Sequence, residues 1–337
     1  MKIGIFSVKE WEREYLNREL DKLFNIEVVY LAGSLGDNNL PEQNDFDGLS
    51  VFVGSKISKK VIDYFPNLKF ITTRSTGFDH IDIDYCREKG ILVSSVPDYG
   101  DNTVAEFAFA LLLDLSRKIY ESYDKLREEG DWSLESLQGF DLKGKTIGVV
   151  GTGRIGLNSI KIAGGFSMNV LAYDAFPKKE LETEYNFKYV ELNELIKQSD
   201  VITLHVPYLE STHHLINDER ISMMKQNAVL INTSRGSVVD TFALLQAVKN
   251  KRIAGAGLDV LEEENAMREE FDFLLKGEKG QIDWRRVLAN QLLIDLPNVI
   301  VTPHNAFNTK EALQRILDTT ILNIKGFVSE EPVNLVK

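Results

Sequence analysis

Thr146-Ile-Gly-Val-Val-Gly151-Thr-Gly153-Arg-Ile-Gly156 joins a short apolar strand to a glycine-rich turn and the start of a helix. Glycine at 151 permits a tight turn, at 153 it lets backbone approach a phosphate, and at 156 it lets the helix pack close to the strand. The unpaired N–H groups and positive dipole end of that helix then face an anion. A second apolar run, Val170-Leu-Ala-Tyr173, follows the helix and ends in Asp174, eighteen residues after Gly156. An acidic residue there suits a ribose 2′-hydroxyl and repels a 2′-phosphate, so the pattern predicts a dinucleotide site that favours NAD over NADP.

Working outward, two blocks alternate strand and helix patterns. Upstream, the apolar runs Lys2–Phe6, Ile26–Tyr30, Leu49–Val53, Phe70–Thr73 and Ile91–Ser94 are separated by amphipathic stretches such as Glu10–Phe24 and Ser58–Phe65. Downstream, the glycine motif is followed by Val201–Val206, Ala228–Asn232, Ala256–Val260 and Val299–Thr302, each with a helical neighbour. Both blocks read as parallel sheets covered by helices, giving an α/β chain of two doubly wound domains. Between them, Thr103-Val-Ala-Glu106 has capping-box spacing and opens the run Phe107–Leu115, apolar nearly all round and therefore buried on most sides. The polar segment Glu121–Lys143, carrying Trp132 and Leu134, reads either as an arm toward a partner subunit or as a solvated connection. The tail Lys310–Val328 reads as a last amphipathic helix that returns to the first block and makes that domain discontinuous.

Composition bounds the function. The 337 residues suffice for two domains with substantial cores, and 43% hydrophobic with 27% charged residues is ordinary for a globular protein. A net charge of −12 argues against a nucleic-acid or anionic-membrane surface. The single cysteine, Cys86, excludes an intrachain disulfide and reads as a small buried hydrophobe in a reducing compartment. With neither a signal stretch nor a bilayer-length apolar run, a cytoplasmic location is the expectation.

Three candidates for chemistry lie at or beyond strand ends of the second block, where open parallel sheets bind ligands. Arg235, in Ile231-Asn-Thr-Ser-Arg-Gly, offers a planar guanidinium that suits a carboxylate or carbonyl oxygen; the alternative is a surface ion pair. His304, in Val301-Thr-Pro-His304-Asn-Ala-Phe, carries the side chain whose ordinary pKa best suits proton transfer near neutrality. Glu264, five residues past Asp259, is placed to pair with that imidazole, although Glu262 to Glu264 also reads as a solvated acidic run.

Taken in order, Gly151-Thr-Gly153-Arg-Ile-Gly156, His205-Val-Pro207, Asn232-Thr-Ser-Arg235-Gly, Gly257-Leu-Asp259-Val and Thr302-Pro-His304 resemble the D-isomer-specific 2-hydroxyacid dehydrogenases over essentially the whole chain. Thr73-Arg-Ser-Thr-Gly-Phe-Asp-His-Ile-Asp82, Val96-Pro-Asp-Tyr99 and Val104-Ala-Glu106 are most similar to the D-lactate branch of that family. The resemblance implies a flavodoxin-like substrate domain at 1–101 plus 306–337, a Rossmann NAD-binding domain at 102–305, and a cleft between them. It also implies a homodimer, with 102–143 as a possible dimerisation segment.

By the same resemblance, Arg235 binds and polarises a 2-oxo acid, while His304 exchanges the proton with Glu264 as its partner. Tyr99 and the amides around Thr76 and Gly77 hold the substrate carboxylate, and Phe307 lies near the substrate side chain. For the cofactor, Gly151, Gly153, Arg154, Ile155 and Gly156 form the pyrophosphate cradle, Asp174 holds the adenosine ribose, and Val206 and Pro207 flank it. Thr212, Thr233, Ser234, Arg235 and Asp259 contact the rest of the dinucleotide, with Asp259 near the carboxamide and His205 as support for its loop.

Two positions depart from the D-lactate pattern. Tyr99 is followed by Gly-Asp-Asn where Ser-Pro is common, and Asn305 stands where a small or hydroxyl residue is usual. A reductase of a bulkier 2-oxo acid, or of hydroxypyruvate or glyoxylate, therefore stays open beside pyruvate. So does an NAD-sensing binding protein without turnover. The charged segment Asn265–Leu296, with Phe271, Phe273 and Trp284, reads as a cover, a partner contact or surface decoration.

Overall fold

A computed structural model describes residues 1–23, 26–264 and 283–336 of the chain. They divide into two compact units, Met1–Tyr99 with Asn308–Lys337 and Gly100–Phe307.

The first unit holds β1 (Lys2–Phe6), α1 (Glu10–Leu20), β2 (Glu27–Leu31), β3 (Gly48–Val51), α2 (Lys59–Tyr64), β4 (Phe70–Thr73), α3 (Ile83–Glu88) and β5 (Leu92–Ser94). Its five strands are parallel in the order β2-β1-β3-β4-β5, so the direction of winding reverses between β1 and β3. Short polar side chains start the helices: Ser58 accepts from Val61 N and Asp82 from Tyr85 N. The expected strand through Val53 stops at Val51 because Ser55 N bonds Phe52 O at 2.8 Å and closes a turn. Cys86 is buried. One face of the sheet packs Phe46, Leu49, Val51, Ile62 and Phe65. The other packs Ile3, Ile5, Leu16 and Phe70 against the C-terminal helix. That helix covers Lys310–Val328, as the sequence pattern predicts, and Phe327 stacks on Phe70 with centroids 4.5 Å apart. Its buried Asn323 donates to Thr72 Oγ1 at 3.1 Å and Ser95 O at 2.9 Å, so the helix is held by polar as well as apolar contacts.

The second unit opens with α4 (Asp101–Arg117) and α5 (Ile119–Asp124). Here the capping-box expectation is corrected. The first helical bond runs from Val104 N to Gly100 O at 3.0 Å, so Gly100 is the cap and Thr103 is a buried residue inside the first turn. A seven-stranded parallel sheet follows, built from β6 (Thr146–Val150), β7 (Asn169–Tyr173), β8 (Lys188–Tyr189), β9 (Val201–Leu204), β10 (Val229–Asn232), β11 (Gly255–Leu258) and β12 (Val299–Val301). The intervening helices are α6 (Arg154–Gly165), α7 (Glu180–Tyr185), α8 (Leu192–Gln198), α9 (Asp218–Met223), α10 (Thr241–Lys249) and α11 (Trp284–Ile294); the C-terminal helix of the first unit is α12. The strand order β12-β11-β10-β9-β6-β7-β8 reverses between β9 and β6, and the glycine turn sits at the carboxyl end of that reversal. The two-residue edge strand β8 has no counterpart in the sequence reading, because two residues carry no periodicity. Helix α4 packs on α6 and β11, with Phe109 stacked on Phe166 at 5.7 Å. No described helix is long and apolar enough to cross a membrane.

The expected boundaries at 101/102 and 305/306 differ from the observed ones by two residues. Asn305 and Ala306 donate their amides to Asp259, which keeps the chain through Phe307 with the second unit. Of the segment Asn265–Leu296, residues 265–282 lie outside the described residues, while Trp284 begins α11 and is exposed.

Candidate active site

The cofactor cradle follows from backbone geometry. Gly151 adopts φ +96°, and a Cβ there would lie 2.6 Å from His205 O. A Cβ at Gly156 would lie 2.0 Å from Gly151 O, so α6 starts directly against the turn. A Cβ at Gly153, by contrast, would meet nothing within 4 Å, leaving that face of the backbone open to a ligand. The amides of Arg154, Ile155 and Gly156 belong to the first turn of a twelve-residue helix and have no intrahelical acceptor. The Arg154 side chain pairs with Asp101 at 3.2 Å.

Asp174 is fixed at the end of β7. Its Oδ2 accepts from Thr152 N at 2.7 Å and Thr152 Oγ1 at 2.9 Å, and Oδ1 accepts from Phe176 N at 2.9 Å. Burial raises the carboxyl pKa, but the bonds from Phe176 and Thr152 and the charge of Lys178 outweigh it and hold the group below its ordinary value. Thr152, which also bonds Tyr189 OH at 2.8 Å, was not singled out from the sequence although it lies inside the motif. Thr212 Oγ1 bonds Leu209 N at 2.8 Å and Pro207 O at 2.7 Å, fixing the loop that carries Val206 and Pro207. Thr233 Oγ1 is buried with no hydrogen-bond partner. An orphaned hydroxyl is costly unless a ligand completes it. Open backbone at Gly153, an ionised Asp174 and the orphaned Thr233 fit NAD.

His205 is occupied structurally. Its Nε2 meets Ser159 Oγ at 2.9 Å and Thr203 Oγ1 at 3.0 Å, and burial pushes the imidazole pKa down from 6.5 to about 4. A depressed histidine is neutral when folded, whereas the unfolded chain takes up a proton below pH 6.5. Stability from this group is therefore complete above pH 6.5 and is lost as pH falls toward about 4. Discounted for the residue's partial exposure, the loss is about 2 kcal/mol. Replacement by glutamine is expected to flatten urea stability between pH 6.5 and 4.5 relative to wild type; parallel curves would refute the assignment.

The three candidates for chemistry stand beyond β10, β11 and β12. After β10, buried Asn232 accepts from Ser234 N at 3.0 Å and Ser234 Oγ at 2.8 Å, and donates to Arg235 O at 2.9 Å. It thereby shapes the turn on which Arg235 sits half-buried, with Nη1 bonded to Ser234 O at 2.8 Å. After β12, His304 adopts φ +53° and donates its N–H to Asp259 O at 2.8 Å. Its Nδ1 lies 2.7 Å from Glu264 Oε1. The glutamate triplet divides: Glu264 reaches the histidine, Glu263 takes φ +54°, and Glu262 is buried elsewhere. Phe307 stands edge-on to the His304 ring, centroids 6.4 Å apart.

Asp259 is only 1% exposed, and both carboxylate oxygens are engaged. Oδ1 accepts from Thr302 Oγ1 at 2.5 Å and Asn305 N at 2.8 Å, and Oδ2 from Ala306 N at 2.9 Å. Burial raises its pKa, against the lowering effect of those bonds and of His304. Asp259 is thus a clamp on the histidine loop, a task that its motif did not disclose.

In the first unit, Thr76 and Gly77 follow β4, and Tyr99 follows β5. Thr76 Oγ1 donates to Val96 O at 2.8 Å, Ser75 Oγ to Gly77 O at 2.7 Å, and Arg315 Nε to Tyr99 O at 2.8 Å. These bonds gather the two loops at one end of that sheet.

Residues 109–306 match the sequence profile described as D-isomer specific 2-hydroxyacid dehydrogenase, NAD binding domain. The chain is 39% identical to 2-hydroxyacid dehydrogenase A of Aspergillus oryzae, covering 97% of this chain and 92% of that one. It is 38% identical to a glyoxylate reductase of Thermococcus litoralis, over 88% and 85% of the two chains. The crystal structure of D-lactate dehydrogenase from Aquifex aeolicus complexed with NAD and lactic acid superposes with a TM-score of 0.86 at 37% identity, covering 98% and 96%. With the profile spanning more than half of the sequence and full-length relatives well above 30% identity, the chain belongs to the D-isomer-specific 2-hydroxyacid dehydrogenases and is an NAD-dependent oxidoreductase.

Proposed function

We propose that the protein reduces pyruvate to D-lactate, with Arg235, His304 and Glu264 as the catalytic residues. The observation that carries this reading is the 2.7 Å contact between His304 Nδ1 and Glu264, on a loop that Asp259 locks. With Nδ1 given to a carboxylate, Nε2 is the nitrogen left for proton transfer. Bound NADH supplies a hydride to the substrate's carbonyl carbon. His304 donates its proton to the carbonyl oxygen, so that one hydride and one proton convert the 2-oxo acid to the 2-hydroxy acid. In the reverse direction neutral His304 takes the hydroxyl proton. Arg235 binds the oxo acid and stabilises the charge that develops on that oxygen. Tyr99 and the amides around Thr76 and Gly77 hold the carboxylate, and Phe307 borders the substrate's side chain.

On the cofactor side, Asp174 holds the adenosine ribose and Val206 and Pro207 flank it. Thr212, Thr233, Ser234 and Arg235 serve the remainder of the dinucleotide, and Asp259 adds a carboxamide contact to its loop-clamping task. The reading includes a homodimer through 102–143, where Trp132 and Leu134 are 81% and 83% exposed. It also includes a cytoplasmic location.

A second reading, reduction of glyoxylate, hydroxypyruvate or a bulkier oxo acid, is favoured by Asn305 beside the histidine and by Gly100, a helix cap directly after Tyr99. The deciding experiment is NADH oxidation by the purified protein with pyruvate, phenylpyruvate, 2-oxoisocaproate, glyoxylate and hydroxypyruvate, with NADPH as control. Pyruvate is expected to give the highest kcat/KM, NADPH little turnover, and chiral analysis D-lactate. Preference for another oxo acid would replace the substrate and retain the mechanism. Tight NADH binding without turnover on any of them would favour a sensor.

A further inference from the structure

We infer that Glu262, a residue the reaction does not use, is a positioning residue that holds Glu264 against His304 by pinning its segment to the turn behind Arg235. This rests on the reading of His304 and Glu264 given above. Glu262 is 3% exposed, and a buried carboxylate persists only when its oxygens are occupied. Oε1 lies 2.9 Å from His214 Nε2. Oε2 accepts from Thr241 N at 3.1 Å and Thr241 Oγ1 at 2.7 Å, with Arg286 Nε at 3.7 Å. The Glu262 carbonyl accepts from Asn290 Nδ2 at 2.6 Å.

These partners exceed what the start of α10 needs, since Asp240 already caps it by accepting from Phe242 N and Ala243 N. The turn of Gly236–Val238, directly after Arg235, runs against the same segment. A Cβ on Gly236 would lie 2.0 Å from Leu261 C and 2.4 Å from Glu262 N, so only glycine admits the approach. His214 N closes the other side of that turn by bonding Ser237 O at 2.8 Å, while its ring stacks on His213 at 3.9 Å. Between Glu262 and Glu264 stands Glu263 at φ +54°, a conformation that a non-glycine residue keeps only when both flanks are held. On one flank Glu264 contacts His304 and accepts from Leu261 N on Oε2 at 3.4 Å, and the other flank is Glu262. Releasing the second flank lets Glu263 relax and carries Glu264 away from Nδ1.

The charged and titratable groups facing Glu262 are His214, whose Nδ1 is 3.8 Å from Asp240, and Arg286. Among the described residues, those facing His304 are Glu264 and Asp259. The test is Glu262→Gln, which preserves shape but removes the charge and exchanges one carboxylate oxygen for an N–H₂ that cannot accept from Thr241 or His214. Because Glu262 acts through Glu264, the readout is kcat for oxo-acid reduction in two backgrounds, wild type and Glu264→Gln. Glu262→Gln is expected to lower kcat in the first and to leave it within about twofold in the second. In the wild-type background at neutral pH kcat is expected to fall roughly 10-fold or more, as misplacement of this kind does, with NADH affinity within about twofold of wild type. His214→Phe keeps the stacking and removes one partner of Glu262, so kcat should fall in the wild-type background by less, and again not in the Glu264→Gln background.

A folded Glu262→Gln protein that keeps wild-type kcat, or that lowers kcat equally in both backgrounds, overturns the inference, because Glu262 is then only a packing residue. If that variant does not fold, His214→Phe decides by the same criterion. Absence of turnover in wild type would instead strike the underlying reading.

Discussion

His304→Ala is expected to lose oxo-acid reduction by roughly 10³-fold or more while binding NADH with unchanged affinity. Removing a positioned general acid costs about 10²–10⁴-fold, and no other described side chain carries a proton on the histidine loop for transfer near neutrality. Arg235 remains and would support a residual rate through charge stabilisation alone. The backbone sets a second expectation. His304 holds φ +53°, and the loop depends on its N–H bond to Asp259 O, which alanine retains. Alanine resists the left-handed region by roughly 1–2 kcal/mol, so a modest fall in thermal stability should accompany the kinetic loss. His304→Asn tolerates that conformation and separates the two effects: stability should return and turnover should not. Turnover by either variant within tenfold of wild type would remove His304 from the proton-donor role.

Arg235→Lys is expected to lower kcat/KM for the oxo acid by roughly 10²–10³-fold, about 3–4 kcal/mol of transition-state stabilisation, despite conserving the charge. Lysine offers a compact ammonium where the guanidinium offers a planar fork, and two parallel bonds to an oxo acid cannot be rebuilt from one point charge. The turn should survive, because its shape comes from Asn232, which binds Ser234 and the Arg235 carbonyl and not the Arg235 side chain. Steady-state kinetics with NADH titration separates the possibilities. A large loss in kcat/KM with a small change in NADH affinity supports substrate binding by Arg235. A loss confined to NADH affinity would assign the residue to the cofactor alone.

What was legible in the sequence was whatever local backbone geometry or side-chain period dictates. The glycine motif could be read because φ +96° at Gly151 and the contact with His205 O admit no other residue. The ten apolar strands beyond the motif's own and helix Lys310–Val328 could be read because burial repeats along them, with ends displaced where turns intervene. Thr103 misled because a capping-box spacing recurs inside helices, where only the hydrogen bond to Gly100 shows which residue is outside. Asp259 and Glu262 were opaque for a different reason. Their partners, Thr302, Asn305, Ala306, His214 and Thr241, lie 21 to 48 residues away, and only the sheet brings them together. Equally, three adjacent glutamates look alike in sequence and acquire three different environments once the chain turns at Glu263.

The discontinuity of the first unit imposes an order on biosynthesis. Gly100–Phe307 is one uninterrupted length of chain and contains every strand of its own sheet, so it can complete its core while the C-terminus is still being made. Met1–Tyr99 emerges earlier from the ribosome yet must wait. Until Lys310–Val328 arrives, Ile3, Ile5, Leu16 and Phe70 lack the cover of Leu317, Ile321, Ile324 and Phe327, and Thr72 lacks Asn323. The half that is synthesised first is therefore the half that finishes last, reversing the usual N-to-C sequence of domain folding. During that delay, its apolar sheet face is open to chaperones and to aggregation.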